Sequence, residues 1–190
     1  MKFPPVIILI GFMGSGKTST GKELAKELQF NFLDTDNWIE KRNEKTIARI
    51  FKEKGESFFR SEEREAVTWI RSHQKVVVST GGGLWMNGDD RKQLLSLGWC
   101  VWLRVSAEVA WKRIESNSNQ RPLLENIKDP LVELRNILEK RNPVYQLAHS
   151  NFVTNDKDPK QVAIEILNFL KKNDLIDLAC RRRKSRYETD

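Results

Sequence analysis

The chain is poor in several things that would assign it elsewhere. It has two cysteines, Cys100 and Cys180, in 190 residues, which excludes a disulfide framework and gives no metal-ligand spacing. Cys100 lies in an apolar run and reads as a small core residue, so a reducing compartment, the cytoplasm, is expected. No apolar run approaches the roughly 20 residues that a membrane span needs. One stretch imitates a signal peptide, MKFPPVIILIGF at the N-terminus. Pro4 and Pro5 stand ahead of its apolar part, and a glycine-rich loop follows in place of a small-residue cleavage site. It reads as a first strand. Internal repeats and glycine/serine linkers are also missing, so a single domain is expected at this length.

Acidic balance is lacking too: the net charge is +7, which invites a nucleic-acid reading. The stretch RRRKSR, Arg181–Arg186, carries five of those charges and leaves the rest of the chain near +2. Other cations are scattered among acids on helical stretches. The basicity is therefore a property of the tail, residues 173–190, expected to be a solvated, disordered end. Neither nucleic acid nor membrane is called for as a partner.

What is present is an alternation of strands and helices. Five short apolar runs, VIILI (6–10), FNFLD (30–34), VVVST (76–80), WCVWLRV (99–105) and NFVTN (151–155), lack the polar alternation of a half-exposed sheet and suit parallel strands covered on both faces. Helical stripes lie over Lys17–Leu28, Ser57–His73 and Asp129–Arg141, and another helix opens at Pro159. This order predicts an α/β fold with right-handed crossovers. Residues 116–128, SNSNQRPLLENIK, have no usable period and read as a functional loop.

Gly11-x-x-x-x-Gly16-Lys17-Thr18 matches the phosphate-binding loop in full, directly after a strand and before a helix. Its glycines allow successive N–H groups to turn inward as an anion nest, and the following helix N-terminus adds to the field. Gly14, Ser15, Gly16, Lys17, Thr18 and Ser19 are thus the expected ATP-phosphate set. Lys17 is expected to bridge the β- and γ-phosphates, and Thr18 to offer its hydroxyl to Mg²⁺. The loop gives a nucleotide but no acceptor.

Three further pieces bear on the acceptor. In LDTD (33–36), Asp34 can hold Mg²⁺, directly or through water, and Asp36 can take a hydrogen bond and a proton from an acceptor hydroxyl. Taken alone, such a pair at a strand end is more often a cap for the helix that follows in NWIEKR. STGGG (79–83) puts three glycines where a strand ends, as close approach of backbone to a ligand would require. Arg60, Arg121 and Arg141 can bind a carboxylate or neutralise a transferring phosphoryl group. A small acidic substrate explains two of them and a transition-state clamp the third.

Together, GFMGSGKTSTGKELA, LDTDNWIE, IARIFKEKGESFFRSEE, STGGG, RPLL and KRNPVY resemble the shikimate kinase family, in order and separation, over roughly residues 5 to 170. The resemblance implies a three-layer P-loop NTPase fold of the nucleoside monophosphate kinase type. Its five-stranded parallel sheet would run 2-3-1-4-5 in a domain of residues 1–172, with a mobile lid at about 116–128. It implies ATP-dependent phosphorylation of the shikimate 3-hydroxyl, in aromatic amino-acid biosynthesis, by a monomer. Asp36 matches the aspartate that binds the hydroxyls and acts as base. Arg60 and Arg141 match the carboxylate grip, and Gly81, Gly82 and Gly83 the substrate loop. Arg121 matches the lid arginine, Asp34 the carboxylate near magnesium waters, and Arg113 an arginine set against the adenine. NFVTNDKDP follows the family only loosely. Rival readings are a gluconate kinase of the same fold, which shares the loop and the sheet, and a nucleotide-binding homologue without catalysis. A nucleoside monophosphate kinase would need a pocket for a base and a second phosphate, which nothing in the chain calls for.

Overall fold

The apolar run at the start forms strand β1, Val6–Gly11, every residue of it buried. A computed structural model describes residues 6–116 and 129–176. Residues 1–5, residues 117–128 of the expected lid, with Arg121, and residues 177–190 of the expected tail lie outside the described residues. The other strands are β2 (Asn31–Asp34), β3 (Val76–Ser79), β4 (Trp99–Arg104) and β5 (Ser150–Val153), and all pairings are parallel in the order β2-β3-β1-β4-β5. The five apolar runs are therefore the five strands, each within two residues of its expected bounds.

Helices α1 (Lys17–Leu28), α2 (Thr35–Asn43), α3 (Ile47–Arg71), α4 (Gly88–Leu97), α5 (Ala107–Glu115) and α6 (Pro130–Tyr145) fill the crossovers, and α7 (Pro159–Lys172) follows β5. Alternation along β1 divides the core between the two faces of the sheet. Ile7 and Leu9 pack with Leu24 and Leu28 of α1 and Val162, Ile166 and Leu170 of α7. Val6, Ile8 and Ile10 pack on the opposite side with Val67 and Ile70 of α3, Leu94 of α4, Trp85 and Tyr145. Two smaller clusters complete the interior. Phe12 of the loop meets Ala110 of α5 and Leu134 and Leu138 of α6, and Ile39 of α2 meets Ile50 and Phe59 of α3.

Two helices differ from the sequence expectation. Helix α3 begins ten residues before Ser57, behind a Thr46 cap, and is broken at Gly55 (φ 79°, ψ 174°), so it is two segments in line. Helix α6 passes Arg141 and contains Pro143 in its last turns. The proline sacrifices one intrahelical donor, and packing holds the turn: the Trp85 indole donates to the Val144 carbonyl at 2.9 Å and Tyr145 is fully buried.

Candidate active site

All the phosphate-loop, Asp34/Asp36 and triple-glycine pieces fall beyond the carboxyl ends of the strands, where open α/β sheets place ligands. β1 runs into the phosphate loop, in which Gly14 (φ 74°) and Gly16 (φ 85°) take left-handed backbone. A side chain at Gly14 would also stand 2.9 Å from the Ala110 carbonyl oxygen, so both shape and space require glycine there. The Lys17 ammonium donates to the Gly11 and Phe12 carbonyls at 2.9 Å each, which folds the side chain back over the loop. Ser15 is fully buried, and its Oγ has no hydrogen-bond partner among the described residues.

Asp34 ends β2 and does two things. One oxygen accepts the Asp36 and Asn37 N–H groups as the cap of α2, and the other accepts the Thr18 hydroxyl at 2.7 Å. Of the two roles left open for the aspartate pair, capping belongs to Asp34, and the cap aims Asp36 from the first turn of α2. Asp34 and Thr18 form a hard-oxygen pair beside the loop. Among the described residues no cluster of three metal-binding side chains exists. That donor set suits Mg²⁺, which typically takes one or two protein oxygens plus substrate phosphates.

After β3 the chain is tied down, Thr80 N–H to the Leu9 carbonyl at 3.1 Å and Gly81 N–H to the Thr35 hydroxyl at 2.8 Å. The three glycines then each face a different expected substrate residue. A side chain at Gly81 would stand 2.5 Å from Asp36 Oδ1, one at Gly83 2.7 Å from Arg60 Nη1, and one at Gly82 3.8 Å from Arg141 Nη1. The Gly82 carbonyl accepts from Arg141 at 3.3 Å. The bare backbone is the floor on which Asp36, Arg60 and Arg141 converge.

The two arginines are held differently. Arg60 gives Nη1 to Glu63 at 2.7 Å, and Nη2 and Nε to one Glu56 oxygen at 2.8 and 3.2 Å. Burial pulls the guanidinium down in pKa, and its hydrogen bonds to Glu63 and Glu56 outweigh that, leaving it above its ordinary value. Glu63 is 1% exposed and its Oε1 has no partner among the described residues. Burial pushes its carboxyl up, against the hydrogen bond from Arg60, and the nearby Asp36 and Asp90 charges add to the rise. Both acids escaped the sequence reading, although KGESFFRSEE places them four before and three after Arg60, the spacing of one helical face. Arg141 has no acid partner among the described residues; beyond Gly82 it meets the Phe12 ring at 6.0 Å.

Arg113 lies at the far end of the loop. It donates to the Gly14 carbonyl at 3.1 Å, the Thr154 carbonyl at 2.5 Å and the Asn155 carbonyl at 3.2 Å. It thereby joins the phosphate loop to the segment after β5. Between α1 and the start of α7, Ser19, Lys22, Glu23, Asp158, Pro159 and Lys160 line an open groove of about 340 Å³. Of these only Ser19 was expected, because the segment around Asp158 carries no motif of its own.

A parallel 2-3-1-4-5 sheet, a complete phosphate loop and a convergent acid-and-arginine site define a P-loop phosphotransferase of the nucleoside monophosphate kinase type. The family model described as shikimate kinase matches residues 13–171, and the chain belongs to that family. The shikimate kinase of Sulfurihydrogenibium sp. (strain YO3AOP1) is 40% identical over 166 residues, 87% of this chain and 98% of that relative. A solved shikimate kinase from Acinetobacter baumannii, in complex with shikimate, superposes with a TM-score of 0.84 at 35% identity, covering 92% of this chain and 97% of that one. A gluconokinase from Sinorhizobium meliloti reaches 0.58 at 18% identity, with coverage of 91% and 95%, and shares the fold alone.

Proposed function

We propose that the chain transfers the γ-phosphoryl group of ATP to the 3-hydroxyl of shikimate. The observation that carries this is the triple-glycine floor, which brings Asp36, Arg60 and Arg141 together next to the phosphate loop. One carboxylate for hydroxyls and two arginines for an acid are what a cyclic hydroxy acid asks for.

Asp36 takes the hydrogen bond of the attacking hydroxyl and orients it in line with the phosphate. Gly14–Ser19 hold the triphosphate by their N–H groups. Lys17 leaves its carbonyl contacts to meet the β- and γ-phosphates, where it offsets charge that develops in transfer. Thr18 and Asp34 are the residues that would hold Mg²⁺, which supplies further charge neutralisation when bound. Arg121, outside the described residues, is assigned to the phosphates in a closed lid, where excluding water protects the phosphoryl group. Arg113 and the groove by Pro159 are assigned to the nucleoside end of ATP. The groove volume is of the size of small-ligand sites.

We read residues 1–172 as the kinase domain and 173–190 as a basic appendage, the whole acting as a cytoplasmic monomer. Among the described residues no helix is long and apolar enough to cross a membrane.

The test is a coupled ADP-release assay with MgATP, comparing shikimate, gluconate and no acceptor. Shikimate-dependent release is expected. Release with gluconate alone would overturn the acceptor assignment, and release independent of any acceptor would overturn the kinase reading itself.

A further inference from the structure

Tyr145 is 0% exposed, its ring stacks on Trp102 with centroids 5.7 Å apart, and its hydroxyl has no hydrogen-bond partner among the described residues. A buried hydroxyl without a partner is costly and calls for a reason. A phenylalanine would fill the same apolar cluster without that cost. The position itself supplies the reason: Tyr145 follows Arg141 by four residues on α6, so the two side chains share one helical face.

Arg141 needs support of this kind. Arg60 is fixed by three hydrogen bonds to Glu56 and Glu63. Arg141 has one long bond to the Gly82 carbonyl and a ring contact at 6.0 Å, the outer limit of a cation–π attraction. An aromatic hydroxyl can accept from a guanidinium without neutralising it. An acid in that place would hold Arg141 but compete with the carboxylate of the substrate.

We infer that Tyr145 is a positioning residue for Arg141: its hydroxyl accepts a guanidinium N–H and aims the cation across Gly82 at the substrate acid. The hydroxyl is without that bond in this conformation, and the bond forms as Arg141 turns onto the acid, as site hydrogen bonds do on substrate binding. Burial pushes the phenol above its ordinary value, and the positive charge of the nearby Arg141 draws it part of the way back. The inference rests on the shikimate kinase reading for the identity of the acid.

A double-mutant cycle on the full chain tests it, with Tyr145→Phe, Arg141→Ala and both together. Tyr145→Phe is expected to raise KM for shikimate about fivefold, the ordinary net worth of one hydrogen bond, with kcat within about twofold of wild type. In the Arg141→Ala background it is expected to leave KM unchanged. An unchanged KM in the single variant, or equal rises in both backgrounds, would overturn the role. If the wild-type chain turns over gluconate in place of shikimate, the acceptor assignment fails separately and the cycle is read on KM for that acid. If it turns over neither, the function reading fails. The four chains are then compared by urea midpoint, where equal Tyr145→Phe shifts with and without Arg141 overturn the contact and unequal shifts support it.

Discussion

The Thr18 hydroxyl and the Asp34 carboxylate, sixteen positions apart in the chain, meet at 2.7 Å, and the same Asp34 caps the helix that carries Asp36. Cap and metal-side functions can be separated by substitution. Asn caps a helix about as well as Asp, whereas Ala loses about 1 kcal/mol. Asp34→Asn should keep wild-type stability and raise the Mg²⁺ concentration needed for half-maximal rate. Asp34→Ala should show the same Mg²⁺ defect and a lower unfolding midpoint. Equal Mg²⁺ dependence in Asp34→Asn and wild type would remove Asp34 from the metal side.

Arg60 and Arg141 should separate in stability, although both are assigned to the same acid. Either change to Ala is expected to raise KM for shikimate on the order of tenfold. Removing Arg60 also strands Glu63, which is 1% exposed. Because Arg60 itself is about a third exposed, solvent screens part of that pair, and a loss of about 1–2 kcal/mol is expected by urea unfolding. Arg141→Ala strands no buried carboxylate, only the Tyr145 hydroxyl, and should cost less stability than Arg60→Ala.

The glycines should tolerate alanine unequally. Gly81→Ala sets a methyl group 2.5 Å from Asp36 Oδ1 and forces that short side chain to move. A displacement near 1 Å at a reacting group can cost on the order of 10²-fold, expected here in kcat/KM. Gly83→Ala meets the far end of Arg60 at 2.7 Å, a long side chain able to shift, and Gly82→Ala has room at 3.8 Å. The expected order of damage is 81, then 83, then 82, read from steady-state kinetics.

The buried Glu63 carboxyl leaves a pH signature in stability. Its folded pKa lies above the ordinary 4.5, chiefly through burial. A group raised in this way contributes stability below the unfolded value and loses it as pH rises through the folded one. Glu63→Gln removes the titration while keeping a hydrogen-bonding amide. The stability of Glu63→Gln relative to wild type should therefore improve between pH 4 and pH 7, measured by urea unfolding. A relative stability that worsens over that range would mean the Arg60 pair outweighs burial.

The frame and the phosphate loop were legible because each rests on local signals: apolar runs of strand length, and a spacing that only a strand–loop–helix turn can use. Boundaries failed where a long-range contact decides them. Proline at 143 argues for a helix end near Arg141, and only the Trp85 indole on Val144, 59 positions away, shows why α6 continues. Helices α4 and α5 leave no visible period in the sequence, being ten and nine residues long with only two buried positions each. The triple glycine was legible as a close approach but not as to what. That Gly81, Gly82 and Gly83 face Asp36, Arg141 and Arg60 depends on three elements meeting, which no spacing records.

The Arg113 bonds to Gly14, Thr154 and Asn155 bear on the order in which the molecule comes into being. The phosphate loop precedes its supports in the chain, yet its shape depends on these later arrivals. Gly11 abuts the Leu103 carbonyl, at 2.5 Å from where a side chain would begin, and Gly14 is held by an arginine about a hundred positions on. Parallel pairing of this kind forms slowly, after its long loops have closed. A nascent or clipped chain therefore holds the nucleotide-binding motif without the means to grip a nucleotide. Truncation ahead of β5 is therefore expected to abolish nucleotide binding although the whole motif remains, because Arg113 then has no Thr154 or Asn155 carbonyl to hold it against Gly14.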